Sequence, residues 1–115
     1  MRIAVMDKNE TDGARMAALI RDACCQYDVK IAEYSDGYSF TRAFQETGFD
    51  LLFVAVYGIR DFEAAWKIRD MDRRVPIMVI CVKHDTVHTG LFSKCRRLPG
   101  LVDKVVDFVY RQFPA

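Results

Sequence analysis

The chain has 115 residues, enough for one domain with its own core and too few for two. A hydrophobic share of 51% supports a packed interior, while 17 basic residues nearly cancel 16 acidic ones. That balance excludes the electrostatic footprint of a surface that binds nucleic acid or an anionic membrane. No apolar run approaches the roughly 18 residues that span a bilayer.

The opening Met1-Arg2-Ile3-Ala4-Val5-Met6-Asp7 lacks the layout of a signal peptide, its apolar stretch being short and ended by an acid. Ile3 to Met6 reads as a buried strand, with Asp7-Lys8-Asn9 as the turn that follows. Asn9, Thr11 and Asp12 offer helix N-caps, and Met16, Leu19, Ile20, Ala23, Cys24 and Tyr27 then recur at helical spacing. Val29 to Tyr34 alternates as a more exposed strand. Ser35-Asp36-Gly37 caps a second helix, whose apolar stripe is Phe40, Ala43 and Phe44 and whose stop is Gly48.

Leu51 to Val56 is apolar throughout, so it belongs in the middle of a sheet covered on both faces. After the loop Tyr57-Gly58-Ile59-Arg60, Asp61 is placed to cap a helix carrying Phe62, Ala65, Trp66 and Ile68. Pro76 opens a second fully apolar strand, Ile77 to Val82. The pattern then weakens: Asp85 to Lys94 is read as a short helix and Cys95 to Leu98 as a short edge strand. Pro99-Gly100 begins a last helix with Leu101, Val102, Val105, Phe108, Val109 and Phe113 on its apolar stripe.

This alternation predicts an α/β domain over residues 1–115, a doubly wound five-stranded parallel sheet with helices on both faces. The four cysteines, at 24, 25, 81 and 95, form no Cys-x-x-Cys pair. They are expected to be reduced thiols in a cytoplasmic protein. His84 and His88 have no paired cysteines nearby, so no zinc site is expected.

Sites in an open doubly wound sheet form at the carboxyl ends of the strands, beside the point where strand order reverses. Residues just past those ends are Asp7-Lys8, Ala55-Val56-Tyr57, Cys81-Val82-Lys83 and Leu98-Pro99. Asp7 is the one carboxylate there, and a hard divalent cation wants several oxygen ligands. Lys8 adds a fixed positive charge, and Ala55 carries no nucleophile, base or ligand atom. No metal and no cofactor are expected.

The opening Met1 to Asp7, the turn Tyr34-Ser35-Asp36-Gly37, the run Asp50-Leu51-Leu52-Phe53-Val54 and Val75-Pro76-Ile77 together resemble receiver domains of bacterial response regulators. The flavour is that of receivers joined to LytTR-type DNA-binding domains, and the similarity covers about residues 1–83. In that family two acids after the first strand help to hold Mg²⁺, and an aspartate ending the third strand accepts phosphate. A Thr or Ser ending the fourth strand and a Lys-Pro after the fifth complete the switch.

Carried over by position, Asp7 matches the first acid and Lys8 replaces the second. Ala55 falls where the acceptor aspartate stands, Cys81 where the hydroxyl stands, and Leu98-Pro99 where Lys-Pro stands. The loop after the third strand and the segment from Cys81 to Pro99 are shorter than in the family, which suggests a trimmed fourth helix or fifth strand. The resemblance thus implies a receiver fold with a degenerate phosphorylation pocket at Asp7, Lys8, Ala55, Cys81 and Leu98. The expectation is a phosphorylation-independent regulatory module that is not an enzyme. It would bind a protein partner or effector domain, and would not bind nucleic acid or membrane itself.

An ammonium from Lys8, paired with Asp7, is one expectation for the cation position. Tyr57, Phe62, Ile59 and Trp66 form one candidate interaction patch. Phe92, Phe108 and Tyr110 form another, at the final-helix face that receivers often use to dimerise, so a homodimer is one expectation. Two rivals stay open: a small-ligand sensor using the altered pocket, and a small enzyme or phosphocarrier using Cys81 or His84. Asp61, near the same rim, is the remaining candidate phosphate acceptor. Lys94, Arg96 and Arg97 read as a solvated basic edge.

Overall fold

The structure, a computed structural model, describes residues 1–81, 86–89, 94–97 and 101–112. In chain order the elements are β1 (Arg2–Met6), α1 (Glu10–Ala23), β2 (Lys30–Tyr34), α2 (Gly37–Thr47) and β3 (Leu51–Val56). A single 3₁₀ turn (Ile59–Asp61) leads into α3 (Phe62–Met71), followed by β4 (Ile77–Cys81), β5 (Thr86–Thr89), β6 (Lys94–Arg97) and α4 (Leu101–Arg111).

Local chemistry sets the boundaries. The Asn9 side chain accepts from the Asp12 amide to cap α1, and Asp36 does the same for the Ser39 amide at the start of α2. Gly48, at φ 70°, ends α2 in a backbone region that other residues enter only with strain. All six residues of β3 and all five of β4 are buried, as their unbroken apolar runs require.

The sheet order is β2-β1-β3-β4-β5-β6. The first four strands are parallel, while β5 pairs antiparallel with β4, and β6 antiparallel with β5. This corrects two expectations at once, the fifth parallel strand and the helix over Asp85 to Lys94. A parallel return needs a crossover of a dozen or more residues, whereas only residues 82–85 separate β4 from β5. The β-branched Thr86, Val87 and Thr89 also suit a strand better than a helix. The trimmed segment has become a hairpin, and four α-helices stand among the described residues.

Strand parity sorts the interior into two layers. Ala4, Met6, Leu52, Val54 and Val56 point to the side covered by Phe40 and Phe44 of α2 and by Ala64, Ala65 and Ile68 of α3. Ile3, Val5, Leu51 and Phe53 point to the side covered by Ile20 of α1 and by Val105, Phe108 and Val109 of α4. Each buried Leu, Ile, Val or Phe contributes about 1.5–3 kcal/mol, so the paired layers are the main source of stability. Among the described residues, no helix is long and apolar enough to cross a membrane.

Candidate functional site

The chain runs from β1 outward to β2 and then back to β3 on the other side of β1. The reversal places a crevice over the carboxyl ends of β1 and β3, where ligand sites of open α/β sheets form. Asp7 directly follows β1 and Tyr57 directly follows β3. They continue the rows Ile3–Val5 and Leu51–Phe53–Ala55, so both rise on the α1 side of the sheet.

Asp7 is almost wholly buried, at 6% exposure. The Tyr57 hydroxyl donates to its Oδ1 over 2.7 Å, and the Asn9 amide donates to the same oxygen over 2.8 Å. The Tyr57 oxygen also lies 3.3 Å from Asp12 Oδ2 on α1. A phenol has one proton, so the short contact to Asp7 is the main bond and the approach to Asp12 its weaker arm. Gly13 of α1 packs beside Asp7, where an added Cβ would stand 3.4 Å from the Asp7 Cβ, in ordinary contact.

Burial pushes the Asp7 carboxyl above the usual aspartate range, opposed by the Tyr57 hydroxyl and then the Asn9 amide. Burial, followed by the Asp7 carboxylate, holds the Tyr57 phenol far above its usual range. Tyr57 is therefore a fixed donor and not a base. The pair is a tie across the switch point.

Lys8 is placed differently from the expectation. Its ammonium lies 3.6 Å from Asp61 Oδ2 and 5.1 Å from the centre of the Tyr57 ring. It thus closes over the tie as a cation on an aromatic face, paired with Asp61 and not with Asp7. The reason is local: adjacent side chains diverge, and Asp7 turns inward to Tyr57 while Lys8 stays exposed. Asp61 also departs from its expected part, since no side-chain cap bond to α3 forms. Its Oδ2 instead accepts from the Tyr57 and Gly58 amides at 2.8 and 3.0 Å, bracing the loop that carries Tyr57.

Ala55, at 9% exposure, presents only a methyl one step below Tyr57. Cys81 ends β4 as a buried thiol. Leu98 and Phe92 lie outside the described residues, as does His84. Of the expected surface residues, Ile59, Trp66 and Tyr110 are exposed, whereas Phe108 is buried. Its ring meets Phe53 edge-on at 5.6 Å between centroids, so it belongs to the core. Tyr57 is half-buried and spent on the tie. Sequence reasoning missed the partnership of Tyr57 with Asp7 and Asp12. The available signal was parity: Asp7 and Tyr57 each extend an inward row on neighbouring strands.

Beside the tie, a crevice of about 340 Å³ is lined by Asp7, Glu10, Gly13, Glu33, Tyr34 and Ser35. Ala55 does not line it. Among the described residues no three His, Cys, Asp or Glu side chains converge as a metal-ion site. The rim does not suit Mg²⁺, because one oxygen of its buried carboxylate is already engaged twice and a tethered ammonium stands alongside. Neither the comparison with protein-family models nor that with curated proteins returns a match for this chain.

Proposed function

We propose that the chain is a pseudo-receiver, a flavodoxin-like signalling domain that works without phosphorylation as a cytoplasmic protein-binding module. It regulates a bacterial signalling or transcription process through a protein partner or an effector domain, and it performs no catalysis. The parallel order β2-β1-β3-β4, with helices on both faces, supports the receiver part of the reading. One observation carries the rest: the carboxylate at the switch point is tied to the Tyr57 hydroxyl at 2.7 Å, and Ala55 is the penultimate residue of β3. Phosphoryl transfer of the receiver kind needs an acceptor carboxylate and a cation held by oxygens. Both positions here are filled by groups that serve neither purpose.

The test is acyl-phosphate labelling followed by intact-mass measurement, on the unaltered protein and on Ala55→Asp. Neither is expected to gain a phosphoryl group, since a new carboxylate at 55 leaves Asp7 tied to Tyr57 and Lys8 beside that ring, with too few free oxygens to hold a cation. Stoichiometric labelling at Asp61, His84 or Cys81 would instead make the chain a phosphocarrier.

A further inference from the structure

The opposite flank of the same rim holds a second groove, of about 240 Å³, between the first turns of α2 and α3. Its floor is Met6 and Ala64, and its walls are Gly37 and Tyr38 on one side and Arg60, Asp61, Glu63 and Lys67 on the other. The two helices meet closely here, as a Cβ on Gly37 would stand 3.3 Å from the Ala64 Cβ. Tyr38 and Ile59 are the two most exposed large hydrophobic side chains among the described residues, at 72% and 86%. Tyr38 lines the groove, and Ile59 belongs to the 3₁₀ turn that supplies Arg60 and Asp61 to its wall.

Charge at the groove is uneven once internal pairing is removed. Asp61 is engaged by Lys8 and by two backbone amides. Arg60 and Lys67 make no ion pair among the described residues, against the single carboxylate of Glu63. The two unpaired cations and the exposed Tyr38 line the groove, and the exposed Ile59 directly precedes Arg60 in the chain, so the region is amphipathic. Exposed apolar groups of this size gather where a partner covers them.

We propose that this α2–α3 groove is the docking surface for an acidic, apolar segment of a partner protein. The segment's aromatic or aliphatic side chain lies against Tyr38 and Ile59, and its carboxylates pair with Arg60 and Lys67. The inference rests on the reading of the chain as a protein-binding module, and it names the surface and the chemistry of what binds there.

The test is display selection of a random peptide library on the immobilised full chain. Selected peptides are then titrated against the unaltered protein, Arg60→Glu/Lys67→Glu and Tyr38→Ala/Ile59→Ser. Enrichment of acidic peptides with aromatic or aliphatic residues is expected, with affinity lost about tenfold or more in the charge-reversed variant, the scale of two ion pairs plus repulsion. All four altered side chains are exposed, so the variants should keep the melting temperature of the parent. Acidic peptides that bind both variants as tightly as the parent would move the docking surface elsewhere and leave the binding-module reading standing. A selection that yields no binder, or only basic ones, would overturn the groove. Acyl-phosphate labelling of the same preparation reports separately on whether the module reading itself fails.

Discussion

At the scale of single residues, Tyr57 is the side chain on which the rim depends. Its hydroxyl is the side-chain partner of a buried carboxylate, with Asn9 supplying the one backbone donor to the same oxygen. Tyr57→Phe should cost about 1–2 kcal/mol, the penalty for a buried acceptor that loses a donor. The cost should also depend on pH. Asp7 has its folded pKa above the unfolded one, so its stabilising share is complete in acid and is lost as pH rises through the folded value. Removing the hydroxyl raises the folded value further, because that bond holds it down. Denaturant midpoints measured from acid to neutral pH should therefore show a deficit that is small in acid and grows toward neutrality. A deficit that shrank with rising pH would contradict the tie. None of this was legible from residue types alone. Tyr57 looked like one more aromatic in a loop, and only the rows set by β1 and β3 bring it to a residue fifty positions away.

Elements with a strong local signature were readable and the others were not. Caps at Asn9 and Asp36 and the stop at Gly48 declare themselves because each uses a side chain or backbone freedom that few residues supply. Gly48→Ala should destabilise by roughly 1 kcal/mol through its positive φ, which thermal unfolding would read directly. The runs 51–56 and 77–81 likewise admit only buried strands. The stretch after Cys81 has no such signature, and there the length of the connection decided the outcome. Four residues cannot return the chain in parallel, so a hairpin forms where a helix and a parallel strand were expected. Phe108 stands on the apolar stripe of α4 with Val105 and Val109, so helical spacing alone favours the core over the dimer face also offered for it. Its contact with Phe53 predicts that Phe108→Ala loses about 3 kcal/mol, the usual cost of emptying an aromatic core position. An exposed dimer residue would lose almost nothing in the monomer.

For the whole molecule, the fold keeps a crevice at the reversal of strand order and fills it with internal contacts. Tyr57, Lys8 and Asp61 close the centre of the rim, leaving an acid-lined crevice on the α1 side and the amphipathic groove on the α2–α3 side. On the proposed reading, a domain built this way offers surfaces to a partner and does not take part in phosphoryl transfer. The most direct measurement is a set of amide spectra of the labelled protein recorded with millimolar Mg²⁺ and then with beryllofluoride, which mimics an acyl phosphate on a carboxylate. The account predicts that the amides of Asp7, Ala55, Tyr57 and Gly58 keep their positions through both additions. Saturable shifts confined to those residues, with Mg²⁺ and beryllofluoride required together, would contradict it.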